Sequence, residues 1–587
     1  MGAFLLTDSG NQYYYDPALE LFREMGFSSP ERLQIGGRTL YVYSKMATGE
    51  NNIRSDGNCT IVSVGTPIYK SKNYSDSLTT LLKDYETNNL SFDQLSGQYS
   101  ILFCRGDSVE ILRDPLGCKH IFSDKNHHML SSHMLPLCLC TDGPLHINKQ
   151  AVYEKLLTGF IMPPDTLFED ILQIDGNVEK TINDAGDDIR FIHAPVNRPA
   201  SVCPGNLSMC INEQAEGLRS YFESIKAYSR KGADIGLSGG YDSRLVLACL
   251  KQYTKEKIHL HSHSMENDHK NDLKIAKQMA DYIGEPCNTI STKRLKNSDR
   301  PDEVLRKSIL YFDGRSSFSI GGCGEVYTAS YRTASTESTP FTLTGVGGEL
   351  YRNVFDIGYR KIRFDWLMKN RVFSSAFSNA ISKTLYSNLS EKIIDKAAAR
   401  LLIDKHKRQL KSIAHRYYCE IMMPDGQGTA LDAYNQVSCC IAPFLEPRII
   451  AKGYEAIQFH QTGGEFEGKL INYIDPGLAV IPSSYGYPVG KRPIKAKIKE
   501  GIRTYVPTDV WNKLSDIIYK KKDKDDDASV LEEVYANSKT LMEAYSYLTA
   551  LFPEINFNVL IRERENIRKV QFMAMTLYYF RERISVQ

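Results

Sequence analysis

The stretch ADIGLSGGYDSRLVLACL, residues 233–250, decides the fold of the second half of this 587-residue chain. Ile235 and Leu237 alternate as in a short buried strand, whereas Leu245, Leu247, Ala248 and Leu250 recur at helical spacing. Between them Ser238, Gly239 and Gly240 form a turn that leads into the helix N-terminus at Asp242 and Ser243. Backbone N–H groups there lack intrahelical partners and the helix dipole adds partial positive charge, so the spot suits an anion, phosphate above all. Gly239 and Gly240 let the backbone approach that anion closely. Asp242 can ligate Mg2+ and Ser243 can offer a hydroxyl to phosphate. No Walker-type lysine follows the glycines.

The same strand-then-helix pattern continues outward. KIHLHSHS (257–264) precedes a helix predicted over 271–283, and FTLTGVGG (341–348) repeats the apolar run that ends in glycines. Such alternation predicts a doubly wound parallel sheet, and the residues beyond 360 read mostly as helices. Up to about 195 the pattern differs: TLYVYS (39–44), CTIVSVG (59–65), QYSILFC (98–104), SVEILRD (108–114) and HHMLSSH (127–133) read as short strands. Helices are predicted near 75–86 and 148–158. The proline- and glycine-rich APVNRPASVCPG, 194–205, divides a domain of residues 1–195 from one of 205–587, and KKKDKDDD (520–527) reads as a solvated loop.

Composition narrows the function. With 42% hydrophobic and 24% charged residues the chain is globular, which excludes extensive disorder. Its 72 Lys and Arg against 70 Asp and Glu give no overall electrostatic footprint for nucleic acid. No apolar run is long enough to span a membrane, and the sequence opens without a basic leader, so a cytoplasmic protein is expected. Thirteen scattered cysteines without a C-x-x-C pair point to reduced thiols. His259, His261 and His263 share one face of a strand but have no acid or cysteine nearby in sequence, so they read as polar strand residues and not as metal ligands.

A second loop, TGVGGE (Thr344 to Glu349), closes another apolar run. Loops at the carboxyl ends of strands in an open α/β sheet line one crevice, so Glu349 can face the phosphates held by the first loop and complete a magnesium site with Asp242. A glycine turn with an exposed glutamate is the plain alternative.

The hexapeptide SGGYDS resembles the pyrophosphate loop of ATP pyrophosphatases, and the resemblance widens over nearly the whole chain. FDQLSGQYSILF (92–103), RDPLGCKHIF (113–122) and INKQAVYEKLLTGFIMPPDTLFEDILQIDGN (147–177) are similar to the amino-terminal half of glutamine-dependent asparagine synthetases. SGGYDS, TGVGGE, APFLEP (442–447) and LAVIPSSYGYPVGKRP (478–493) resemble, in order, their synthetase half. The resemblance implies an N-terminal four-layer αββα glutaminase-type (Ntn-hydrolase-like) domain and a C-terminal ATP pyrophosphatase domain that adenylates a carboxylate for attack by an amine. It implies ATP and Mg2+ as cofactors, with Leu237, Ser238, Gly239, Gly240, Asp242, Ser243 and Gly347 around the nucleotide, Leu237 near adenine through its backbone. Asp242 and Glu349 would hold the metal, and Lys491, beside Arg492 and Lys495, would neutralise charge on the reacting phosphorus.

Two departures matter. The sequence opens Met1-Gly2-Ala3 and its first cysteine is Cys59, so the terminal thiol that the family's glutaminase uses is missing and glutamine hydrolysis is not expected. β-Lactam synthetases and lasso-peptide cyclases share that lack. Val346 stands where relatives carry a residue able to move a proton near the amine. The reading is an amide-forming ligase whose small-molecule or peptide substrates carry a carboxylate and an amine, with no membrane and no nucleic acid as partner and homo-oligomerisation left open. The rival readings are an RNA-modifying ATP pyrophosphatase and a nucleotide-binding scaffold or regulator.

Overall fold

The structure is a computed structural model that describes residues 2–8, 15–174, 189–192, 205–265, 271–292, 295–315, 340–359, 361–460, 463–489, 491, 493–494, 498 and 532–585. Its amino-terminal half holds two sheets. One orders its strands Ile171–Gln173, Phe122–Asp124, Leu130–Ser131, Ala3–Asp8, Arg38–Tyr43, Glu31–Ile35, all antiparallel. The other runs Ile189–Ile192, Ser108–Arg113, Tyr99–Arg105, Thr60–Gly65, Ile53–Ser55, with only the first pair parallel.

Period-two alternation sorts the side chains of these strands. Phe4, Leu6, Leu40 and Val42 from the first sheet meet Val62, Val64, Leu102 and Ile111 from the second. Each such fully buried side chain contributes about 1.5–3 kcal/mol. The opposite faces are covered by helices: Tyr43 stacks on Phe22 of helix Asp16–Glu24 at 4.4 Å, and Phe103 stacks on Tyr85 of helix Tyr74–Glu86 at 3.9 Å. The layers therefore run helix, sheet, sheet, helix. Four of the five predicted strands here form within a residue or two of the expected bounds, as do the helices Tyr74–Glu86 and Lys149–Thr158. HHMLSSH is the exception, since only Leu130–Ser131 pairs as strand. Ser132 turns its hydroxyl to the Phe4 N–H, and a helix starts at Met134, where the Asp313 carboxylate accepts from the N–H groups of Met134 and Leu135 at 2.6 and 2.8 Å.

The carboxy-terminal half is built on a five-stranded parallel sheet, ordered Cys287–Thr292, Ile258–Met265, Ala233–Gly236, Phe341–Leu343, Cys439–Ile441. The first strand in sequence lies at its centre, beside the fourth, so the order reverses between them. That is the switch point at which open α/β sheets form their crevice. Helix Asp272–Ile283 lies where it was expected, and the described residues beyond 360 are mainly helical apart from Cys439–Ile441 and short paired segments such as Ile584–Ser585.

The two halves are knit by buried polar contacts. Lys119 Nζ meets Asp432 Oδ1 at 2.7 Å, Gln98 exchanges two hydrogen bonds with Ala442, and the Gly97 N–H donates to Glu446 Oε2 at 3.0 Å. Glu446 belongs to the APFLEP motif. Strand Ile584–Ser585 pairs in parallel with Leu145–His146. The 194–205 linker, except Gly205, and KKKDKDDD lie outside the described residues. Eleven described cysteines are free thiols, all but Cys287 buried. No described helix is long and apolar enough to cross a membrane.

Candidate functional site

The first loop leaves the central strand under tight backbone control. The Leu237 N–H donates to His261 O at 2.7 Å and Leu237 O accepts from the Ser262 hydroxyl at 2.9 Å. Ser238 then folds onto the helix start, its N–H donating to Ser243 Oγ and the two hydroxyl oxygens lying 3.2 Å apart. The Gly240 N–H donates to Ser238 Oγ, and the Gly239 N–H to Asp272 Oδ1 at 2.9 Å. A loop amide thus already holds an oxyanion, the chemistry expected of a phosphate cradle. Only glycine fits at 239, because a Cβ there would fall 2.5 Å from Asp272 Oδ1 and 2.9 Å from Ser484 Cβ. Helix Asp242–Cys249 follows with no side chain capping its N-terminus.

The second loop packs directly on the first. A Cβ on Gly345 would lie 2.8 Å from the Ser243 nitrogen, and one on Gly348 would lie 2.5 Å from Asp242 Oδ1. Gly347 takes φ +91°, a left-handed conformation that glycine adopts freely. The loop then tightens into the 3₁₀ turn Gly348–Tyr351, which carries Glu349. Glu349 Oε2 accepts from the buried Tyr418 hydroxyl at 2.6 Å. Burial, and then Glu349, push the Tyr418 phenol well above its ordinary range, so it stays a donor.

Asp242 is bound from the other side. Arg352 Nη2 meets Asp242 Oδ1 at 2.5 Å, and Arg352 Nε donates to Oε2 of the fully buried Glu467 at 2.8 Å. Burial raises the Asp242 carboxyl well above the usual range; Arg352 opposes this, and the charges of Glu467 and Glu349 add to it. Two acids, Asp242 and Glu467, thus contact one guanidinium, and Glu349 adds its charge nearby. Magnesium is generally held by one or two carboxylates together with substrate phosphates, and Asp242 and Glu349 on touching loops are the acids present for it, with Oδ1 of Asp242 taken by Arg352. No larger metal-binding cluster of acids, histidines or cysteines exists among the described residues. His261 Nδ1 lies 3.0 Å from Asp234 Oδ1, and its ring is 5.4 Å from that of His263, so an acid from the neighbouring strand joins the histidine face.

A third segment completes the crevice. Arg244, fully buried in the loop helix, reaches the carbonyls of Leu478, Ile481 and Pro482 at 3.1, 2.5 and 3.0 Å. This holds the turn after Pro482 against the first loop, where the Ser484 N–H donates to Gly239 O at 2.8 Å and Tyr485 meets Tyr241 edge-on at 5.9 Å. Lys491 follows that turn, exposed, its N–H donating to Pro488 O at 3.2 Å. The structure therefore brings Leu237, Ser238, Gly239, Gly240, Asp242, Ser243, Gly347 and Glu349 together. It gives the Lys491 side chain no hydrogen bond or ion pair with a described residue. Val346 is half-buried against the core.

Sequence reasoning passed over Arg244, Asp272, Arg352, Tyr418 and Glu467. Arg244 carried the clearest signal, a guanidinium inside an apolar helix face. Arg352 and Glu467 become meaningful only once the fold apposes them.

Residues 230–418, which carry both loops, match the asparagine synthase family, and the match points to an ATP-dependent enzyme of the ligase or pyrophosphatase type. That family binds ATP, usually with Mg2+. No curated protein matches the sequence. Among solved structures the chain is similar to the U34-tRNA thiolase NcsA from Methanococcus maripaludis with its 4Fe-4S cluster, at 15% identity over 44% of this chain and 81% of that one, with a TM-score of 0.17.

Proposed function

We propose that the protein is an ATP- and Mg2+-dependent ligase that joins a carboxylate to an amine, releases AMP and pyrophosphate, and draws no nitrogen from glutamine. The observation that carries this is the packing of Gly345 and Gly348 on Asp242 and Ser243, which sets Glu349 beside a phosphate-type loop.

In this reading the ATP phosphates lie on Ser238, Gly239, Gly240 and Ser243, with Gly347 nearby and adenine against the Leu237 backbone. Asp242 and Glu349 hold the metal, which when bound neutralises phosphate charge and activates pyrophosphate as a leaving group. The substrate carboxylate oxygen attacks the α-phosphorus, the bond to the bridging oxygen breaks, and pyrophosphate leaves. An amine then attacks the acyl carbon, expels AMP and loses a proton. Tyr418 keeps Glu349 oriented, Arg352 balances the carboxylates, and Lys491 swings in to offset charge on the α-phosphorus. Such fixed charges, aimed where charge develops, supply the main stabilisation of this kind of transition state. Val346 leaves proton removal to the substrate amine, solvent or phosphate.

Two features support independence from glutamine. Gly2 is buried, and a side chain there would meet the Ser44 carbonyl oxygen at 2.2 Å, so position 2 has no room for a cysteine. Cys59 is buried and its thiol is pushed up to about 11, so it is no thiolate near neutral pH. The test is to identify the nucleotide products across a panel of amino acids, peptides and sugar acids. AMP with pyrophosphate is expected, and ADP with orthophosphate as sole products would overturn the reading.

A further inference from the structure

The guanidinium of Arg352 stands on the carboxylate that the metal reading assigns to a divalent ion. Its Nη2 meets Oδ1 of Asp242 at 2.5 Å and Oε2 of Glu467 at 2.8 Å, and Nε donates to that same Glu467 oxygen at 2.8 Å. Two nitrogens therefore converge on one oxygen of Glu467. The other, Oε1, is buried and has no hydrogen-bond donor among the described residues, on a side chain that is 0% exposed. Asp242 and Glu467 also lie within hydrogen-bond reach of each other, and carboxylates so close repel unless positive charge stands between them. Arg352 supplies that charge.

The surroundings hold the guanidinium near both acids while leaving it space to turn. The Arg352 backbone N–H donates to Glu349 O at 2.9 Å, which ties the residue to the turn carrying the second loop's acid. Its Cζ lies 5.6 Å from the centre of the Tyr241 ring. A Cβ at Gly464 would fall 2.9 Å from that ring and 3.3 Å from Arg352 Nε, so a larger residue there would crowd the guanidinium. A divalent ion and a guanidinium on one carboxylate oxygen repel strongly, so they exclude each other from Oδ1. Glu467 offers the alternative. Turned wholly onto it, Nε and Nη2 would each meet one oxygen, the parallel fork that guanidinium and carboxylate favour, and Oε1 would gain its donor.

We propose that Arg352 is a positioning residue that holds the Asp242 carboxylate until a divalent ion binds, and then passes to Glu467 as its second seat. The proposal rests on the reading of Asp242 as a metal ligand and deepens it, because it gives the buried Glu467 a part in metal binding without making it a ligand.

The experiment adds Mn2+ to the full chain without nucleotide and follows the free ion by electron paramagnetic resonance. Arg352→Gln should bind Mn2+ at least ~10-fold more tightly than wild type, because the competing charge is gone. Glu467→Gln should bind it at least ~10-fold more weakly, because Asp242 is then the charged partner left to the guanidinium. Arg352→Gln leaves two acids without their cation; should it fail to fold, Glu467→Gln and the wild type carry the test. A crystal structure of the wild type with Mn2+ should show Arg352 forked on Glu467 and parted from Asp242. Unchanged Mn2+ affinity in Glu467→Gln or in folded Arg352→Gln, or a guanidinium still on Oδ1 beside a bound ion, would overturn the proposal and leave the metal reading standing. Mn2+ binding undiminished in Asp242→Asn, or absent from every variant and the wild type, would overturn the metal reading and the proposal with it.

Discussion

Gly348 lies so close to Asp242 that a methyl group on its α-carbon would fall 2.5 Å from Oδ1 and 2.7 Å from Cγ. The contact leaves the carboxylate a single seat. Gly348→Ala should push Asp242 off it, cutting turnover by ~10²-fold, as misplacement by about 1 Å does. Overpacking should lower stability by only about 1–3 kcal/mol. Steady-state rates and melting curves measured together check this, and unchanged turnover would show that the apposition of the two loops is not functional.

Asp242→Ala should lose turnover by orders of magnitude with the fold retained, because phosphate charge is then poorly compensated. Equal Mg2+-dependent ATP affinity and turnover in mutant and wild type would remove Asp242 from the metal site.

Lys491→Ala should slow formation of AMP far more than it weakens ATP binding, the pattern of a contact made mainly in the transition state. Single-turnover rates against equilibrium binding decide it. A variant of normal rate would hand the role to Arg352, the cation already beside Asp242.

Arg244→Met should strip hydrogen bonds from three carbonyls at about 1 kcal/mol each, or on the order of 3 kcal/mol in all. Its signature is local as well: limited proteolysis should cut within 482–487, where wild type resists. Unaltered resistance there would mean that Arg244 does not anchor the turn.

Glu446 links the halves and gives stability a pH dependence. Burial, opposed by Arg448 and the Gly97 N–H, raises its carboxyl from 4.5 to about 7. The folded state therefore binds the proton more tightly than the unfolded one. That contribution is fully present below pH 4.5 and is lost as pH rises through about 7. A shift of this size corresponds to about 3 kcal/mol. Glu446→Gln, which keeps an oxygen for Gly97, should resemble wild type at pH 4.5 and exceed it at pH 8. Parallel denaturation curves at both pH values would reject the linkage.

The fold was legible where one periodicity dominated. ADIGLSGGYDSRLVLACL announces strand, turn and helix because its apolar spacing switches at the glycines, and KIHLHSHS alternates cleanly over eight residues. HHMLSSH misled because only Met129 and Leu130 in it are apolar and the strand ends at Ser131, the chain turning into a helix start fixed by Asp313, which is distant in sequence. In the site, the residues on the two loops could be named in advance because the glycines mark them. Arg352 and Glu467 could not, since each gains its meaning from a partner on another element. Asp272 opens a helix like any first-turn acid, and only the fold turns it toward Gly239.

The pairing of Ile584–Ser585 with Leu145–His146 also sets a schedule for synthesis. Arg583, next to that strand, donates to the carbonyls of Cys138, Thr141 and Gly143, and 445 positions separate it from Cys138. At about 5–20 residues per second, a ribosome needs roughly 20–90 s to cover that distance. Throughout that interval the early-made edge waits with unfilled backbone groups, exposed to chaperones and to neighbouring nascent chains. The edge is sealed only once residues 583–585 have been made and have docked on it.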